Sequence, residues 1–113
     1  MLETSSALSP VWSEFESRWD GMRHALSGGL WLHRFRLNGE PMAHLVSSDR
    51  DAILRAGCAL GLQRQWVQFK PLCDVDTGEQ VDCWHWDLLR ERLSLALELA
   101  AERAPLTIGR PRP

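Results

Sequence analysis

The sequence predicts a single α+β domain, in which a small sheet built from hairpins packs against an N-terminal helix and a long C-terminal helix. Three observations predict this class. An Asn-Gly turn separates two strand-like segments, a Thr-Gly turn marks a second hairpin, and apolar residues recur at helical spacing near both ends of the chain. We place the domain at residues 9–104, between a flexible N-terminus at 1–8 and a flexible tail rich in proline and arginine at 105–113.

The size and composition of the chain limit the kinds of protein and partner that the sequence allows. The chain has 113 residues, 44% of them hydrophobic and 25% charged, which is typical of one soluble globular domain. A formal net charge of -2 gives no basic field, so nucleic acid is not favoured as a partner. The absence of a long apolar run or a signal peptide indicates a cytoplasmic protein with no membrane partner. Three cysteines, an odd number, indicate reduced thiols.

The first element is predicted to be a helix that begins at Ser9-Pro10, where serine caps the free amides and proline tolerates the first helical position. It ends at the Ser-Gly-Gly stretch of residues 27–29. Apolar residues within it recur at steps of three and four: Trp12, Phe15, Trp19, Met22 and Leu26. Such a stripe packs on its own domain or forms a seam with a partner helix, and the sequence leaves both open.

A hairpin is predicted around Asn38-Gly39, because a two-residue turn of this kind needs positive φ at both central positions. Its strands cover residues 30–37 and 42–47. The turn sets His33 directly opposite His44 on one face, which is otherwise apolar and is therefore predicted to be buried. The other members of that face are Trp31, Phe35, Met42 and Val46. Pro41 lacks a backbone donor and indicates an edge strand.

A second helix is predicted to begin at residues 47–49, with Ser48 as the capping residue, and to end at Gly61. A short strand at residues 66–69 follows, and then a second hairpin around the Thr-Gly turn. The register of this hairpin stays open, since a three-residue loop would set Cys73 opposite Cys83 and a glycine bulge would not.

The last helix is predicted from about Trp86 to Arg103. Its apolar residues span an arc of about 200°, which is wider than one core contact needs. The excess points to a homodimer or a protein partner, although a helix sunk between the sheet and the first helix would show the same pattern. The predicted interface residues are Trp12, Phe15, Trp19, Leu88, Leu95 and Leu99.

The histidine pair is the main candidate site. Opposed imidazoles on neighbouring strands are close enough to hold one divalent metal ion, such as zinc, between their ring nitrogens. The predicted ligands are His33, His44, Cys83 and His85. The alternative is a group of neutral histidines packed in the core with inert thiols nearby.

The segment from residue 42 to residue 76 resembles a known family. It contains Ala-His-Leu-Val-Ser at 43–47, Leu-Gly-Leu at 60–62, Trp66, Gln-Phe at 68–69 and Asp-Val at 74–75. These motifs are similar to those of the bacterial domain of unknown function 4031 family, in which His44 matches the first histidine and Asp74 the final aspartate. The chain departs from the pattern at Leu72, where the family has a second histidine, and at Cys73, where it has tyrosine. The family has no assigned activity to carry over.

Two function classes follow from these observations. The one we favour from the sequence is a small binding or regulatory module that acts through a dimer or protein-partner surface. The alternative is a metal-dependent hydrolase of phosphoester or nucleic-acid substrates, with His44 and Asp74 as its catalytic residues. No phosphate-binding loop, nucleophile elbow or metalloprotease motif names a reaction.

Overall fold

A mixed five-stranded sheet with helices on both faces forms the centre of the fold. The structure is a computed structural model and describes residues 10–103, so both ends predicted to be flexible lie outside the described range. In chain order the elements are β1 (Trp12–Ser13), α1 (Arg18–Leu26), β2 (Leu30–Leu37), β3 (Glu40–Ser47), α2 (Arg50–Ala59), a 3-10 turn (Arg64–Trp66), β4 (Gln68–Phe69), β5 (Leu72–Cys73), β6 (Gln80–Val81), β7 (Trp84–Leu89) and α3 (Arg90–Arg103). The predicted α+β class is confirmed.

The strands of the main sheet lie in the order β1-β2-β3-β7-β4, and β5 pairs with β6 in a separate two-stranded hairpin. Strands β1 and β2 run parallel, whereas the other neighbours are antiparallel. Strands β3 and β7 therefore meet in the middle of the sheet, although a helix and three short strands separate them along the chain.

The first hairpin has the predicted register, with His33 opposite His44. Asn38 and Gly39 take the positive φ values, 53° and 82°, that the turn requires. The prediction of an edge strand at Pro41 is wrong, because β3 pairs with β7 on its other side. That second pairing begins at Met42, so the donor missing from Pro41 removes no hydrogen bond from the ladder.

Both faces of the sheet are buried in part: Trp31, Met42 and Val46 are buried on the face predicted to be so, but the main core lies on the opposite face. The main core lies on the face that carries Leu32, Leu45 and Trp86, and α2 and α3 cover it. The other face, which we call the histidine face, is covered by α1 and the β5–β6 hairpin around Trp31 and Val46. Both faces of the first hairpin bear large apolar side chains, so alternation alone does not reveal which face carries the main core.

The N-terminal segment contains less helix than predicted. Helix α1 begins at Arg18, and Ser17 caps it by accepting a hydrogen bond from the Asp20 amide at 3.3 Å. Trp12 lies instead in β1 and is only 3% exposed. Its indole N–H donates to the carbonyl of Ala96 in α3 at 2.8 Å. This buried contact holds the segment extended along the sheet edge, which explains the later helix start.

Helix α2 is capped by a different residue from the one predicted. Asp49, not Ser48, accepts the hydrogen bond from the Ala52 amide, at 3.2 Å. The Ser48 hydroxyl donates to the carbonyl of Ala25 at 2.8 Å and so joins the end of α1 to the end of β3. The helix ends as predicted, with Gly61 at a φ of 72°.

The C-terminal helix also begins later than predicted, because residues 84–89 form β7 before α3 starts at Arg90. Pairing with β3 inserts Trp86 and Leu88 into the main core, and this long-range contact outweighs the helical pattern. The second hairpin sets Cys73 opposite Gln80, so Cys73 does not face Cys83. Several leucines of α3 pack in part against the main core, which accounts for the wide apolar arc.

Candidate metal centre

Chemically active side chains on the histidine face form rows across the sheet. His33 on β2, His44 on β3 and Asp87 on β7 are successive register partners. His85 precedes Asp87 by two residues and therefore points to the same face, in the next row, opposite Val46. The pairing of β3 with β7 thus adds an imidazole and a carboxylate to the predicted pair of histidines.

His44, His85 and Asp87 form a compact group of three ligands. Oδ1 of Asp87 lies 3.1 Å from Nε2 of His44 and 3.3 Å from Nε2 of His85. The three ligand atoms all lie within 4.8 Å of one another. A tetrahedral zinc ion with bonds of about 2.0–2.1 Å needs ligand atoms about 3.3 Å apart. Both distances to Asp87 agree with that requirement.

The carboxylate of Asp87 has two unlike oxygens. Oδ2 accepts a hydrogen bond from the side-chain amide of Gln68 at 2.7 Å. Oδ1 is buried and, within the described range, accepts no well-aligned hydrogen bond, although both imidazole nitrogens lie close to it. A buried carboxylate oxygen without a donor is costly unless a cation or water satisfies it. The group therefore has the features of a cation site in which Gln68 orients one ligand.

An open cleft of about 350 Å³ lies beside this group, and His44 and His85 form part of its lining. The cleft is lined by Arg18, Met22, Trp31, His33, Phe35, His44, Val46, Lys70, Leu72 and His85. Gly21 of α1 lets the helix approach the sheet closely, since a methyl group at that position would overlap the indole of Trp31. Most of the wall is apolar. Its polar groups are three imidazoles and two cationic side chains, a combination that is typical of small-molecule sites.

Burial lowers the pKa of all three imidazoles in the cleft, those of His33, His44 and His85. Nearby positive charge lowers these pKa values further: Arg18 acts on His33, and Lys70 acts on His44 and His85. The carboxylate of Asp87 opposes the shift at His44 and His85 without reversing it. The imidazoles are therefore neutral at pH 7, which is the form that binds metal ions.

The metal-free protein is expected to lose stability as the pH falls below about 6.5. The folded pKa values of these imidazoles lie below their unfolded value, so the unfolded chain binds more protons and stability rises with pH through that window. Urea unfolding between pH 8 and pH 5, with chelator present, measures the effect. An unfolding midpoint that stays constant from pH 7 to pH 5 would contradict the prediction.

Two of the four predicted metal ligands, His44 and His85, belong to the ligand group, whereas His33 lies outside it. His33, His44 and His85 line one cleft. The fourth, Cys83, is buried with Ala25, Trp31 and Val46 and does not belong to the ligand group. Burial raises the pKa of its thiol, which disfavours the thiolate that a metal requires.

Asp74, the second predicted catalytic residue, lies away from the cleft lining, in the loop between β5 and β6. Its Oδ1 accepts a hydrogen bond from the Asp76 amide at 2.8 Å, which is the role of aspartate in a local turn. The carboxylate beside His44 is Asp87, which the sequence reasoning missed. The alternation in Trp-His-Trp-Asp at 84–87 could have found it, because a strand there sets His85 and Asp87 on one face.

The predicted interface residues fall into two groups. Trp12 and Leu88 are 3% and 0% exposed and leave no surface for a partner, and Leu95 and Leu99 pack in part against the main core. Phe15 and Trp19 are exposed, by 37% and 52%. The exposed rings of Phe15 and Trp19 therefore offer apolar surface that a partner would be able to contact.

Comparisons of the chain with protein-family models, with curated proteins and with solved structures found no match. Within residues 10–103, no helix has the length and apolar character needed to span a membrane. The chemistry of the cleft is therefore inferred from its own residues.

Proposed function

We propose that the protein is a metal-dependent hydrolase in which His44, His85 and Asp87 hold one divalent ion, with zinc the first candidate. The observation that carries this proposal is the buried Oδ1 of Asp87, which lies 3.1 and 3.3 Å from two imidazole nitrogens and accepts no well-aligned hydrogen bond from residues 10–103. Two histidines and one carboxylate form an established ligand set for zinc hydrolases, and also for non-haem iron enzymes.

Three protein ligands, of which His44 and His85 line the open cleft, favour a catalytic over a structural ion, because structural zinc sites use four protein ligands. An ion held there would polarise a substrate oxygen and lower the pKa of a water molecule toward neutrality. His33 is the residue of this chain suited to accept a proton. It faces the cleft opposite His44, and burial keeps its pKa low and its ring neutral.

Phosphoesters are the substrate class that the surroundings favour. Arg18 and Lys70 add two positive charges to the cleft lining, and carboxylate side chains are absent from that lining within the described part of the chain. Cationic groups stabilise a phosphoryl group both when it binds and when charge develops during its transfer. The cleft volume of about 350 Å³ is at the small end of ligand sites, which suits a small phosphoester.

Metal content and metal-dependent hydrolysis test the proposal. The chain is expressed with zinc, manganese or iron added, and elemental analysis is expected to find about one ion per chain. His44→Asn is expected to lose the ion, whereas His24→Asn is the matched control because that ring lies on α1 against Phe15. An iron-selective site would replace hydrolysis with redox chemistry, and protein free of metal after every supplement would contradict the site itself.

A binding module is the second candidate function, and the exposed rings of Phe15 and Trp19 favour it. Phe15 lies on the segment that leads into α1, and Trp19 is the second residue of that helix. Large aromatic side chains anchor protein interfaces well. Sedimentation or light scattering measures the expected homodimer, and a monomer across the micromolar range would remove that candidate.

A further inference from the structure

Two cationic side chains in the cleft lining have no carboxylate partner among the residues that the structure describes. Arg23, Arg34 and Arg90 pair with Asp76, Glu14 and Glu40. Arg18 and Lys70 form no ion pair or side-chain hydrogen bond between residues 10 and 103, although both line the cleft. Unpaired cations beside a cleft are available to an anionic ligand.

The two cations approach the cleft from different elements. Arg18 is the first residue of α1, and Lys70 lies between β4 and β5, where its backbone amide donates to the carbonyl of Cys83 at 2.8 Å. Each acts electrostatically on imidazoles of the cleft, Arg18 on His33 and Lys70 on His44 and His85. The positive charges of Arg18 and Lys70 therefore act on the part of the cleft that would hold the proposed ion.

The remaining wall is suited to a flat apolar group. The ring of Trp31 stacks on that of His33 at a centroid distance of 4.8 Å, and Phe35 contacts His44 at 4.7 Å. The aliphatic side chains of Met22 and Leu72 complete the apolar lining. Aromatic walls favour planar ligands, which stack on them or meet their edges.

We infer that the cleft binds small aryl phosphate monoesters, whose phosphate is held by Arg18 and Lys70 and whose ring packs against Trp31 and Phe35. Aryl phosphates would be the substrates of the proposed hydrolase. Their hydrolysis rests on the proposed function, whereas their binding rests on the cleft alone. In the reaction water forms a new O–P bond, the bond from phosphorus to the aryl oxygen breaks, and a proton passes to the aryl oxygen. The products are a phenol and inorganic phosphate, and no oxidant or reductant is needed.

Binding to the metal-free protein tests recognition separately from catalysis. Titration with phenyl phosphate, followed by NMR or calorimetry, is expected to show saturable binding that weakens as salt is added, whereas benzyl alcohol of similar size binds more weakly. Arg18→Gln and Lys70→Gln are each expected to weaken phenyl phosphate binding about fivefold. Arg55→Gln on α2 is the matched control for loss of one positive charge and is expected to change nothing.

Hydrolysis by the zinc-loaded protein gives the second measurement. The expected result is faster turnover of p-nitrophenyl phosphate than of the neutral ester p-nitrophenyl acetate, with KM for the phosphate raised by Arg18→Gln and Lys70→Gln. Phenyl phosphate binding without turnover or bound metal would overturn the hydrolase and keep the anion site. Bound metal with equal affinity for phenyl phosphate and benzyl alcohol would overturn the anion site and keep the metal centre.

Discussion

Asp87→Asn is expected to weaken zinc binding about 100-fold or more. Loss of an outer-shell partner alone typically costs about 10- to 100-fold in metal affinity, and Asp87 is a direct ligand of the proposed ion. The amide of asparagine is a poorer ligand and carries no charge to balance the cation. Competition between the protein and a chromogenic chelator measures the zinc affinity.

Asp74→Asn is the matched control for this change. The Oδ1 of residue 74 accepts a hydrogen bond from the Asp76 amide, and an asparagine oxygen accepts it equally well. Zinc affinity is therefore expected to stay at the wild-type value. The metal-free Asp87→Asn protein is also expected to be no less stable than the wild type, because the substitution removes charge from a buried oxygen that lacks a donor. Equal zinc affinities for the two variants would exclude Asp87 as a ligand.

Trp86→Ala is expected to lower the free energy of unfolding by about 3–5 kcal/mol. Trp86 is 1% exposed and packs against Gly57, where any methyl group would overlap its ring. Its indole N–H donates to the carbonyl of Ile53 at 2.7 Å, so truncation both leaves a cavity and removes this buried hydrogen bond. Urea unfolding measures the loss.

Two further variants make the test of Trp86 secure. Total stabilities of single domains are about 5–15 kcal/mol, so the alanine variant can be too unstable to study. Trp86→Phe keeps most of the ring and is expected to fold with a smaller loss. Trp19→Ala, at a ring that is 52% exposed, is expected to change stability little. Similar losses at positions 19 and 86 would contradict the described core.

Local turn chemistry made part of the fold predictable from the sequence. Asn38-Gly39 fixed the register of the first hairpin, and Gly61 fixed the end of α2, because each position needs positive φ. The helical spacing of Ala52, Ile53 and Ala56 agrees with their burial on α2, whereas Ala59 at the same spacing is exposed.

Long-range packing decided the features that the sequence did not reveal. The hairpin has an apolar face on either side, and only the positions of α2 and α3 determine that Leu32 and Leu45 belong to the main core. Asp87 was assigned to a helix because a leucine-rich helical pattern continues directly after it. Its true position depends on the pairing of β7 with β3, and the alternation at 84–87 indicates a strand without specifying that partner.

The ligand group joins β3 to β7, two strands that are neighbours in space and distant along the chain. An ion bound there would act as a removable cross-link at the centre of the sheet, and unfolding would have to release it. Mass action then stabilises the occupied form in proportion to the logarithm of free metal concentration. Chains that failed to capture an ion would open more often and be degraded sooner, so metal supply would govern how much of the protein persists.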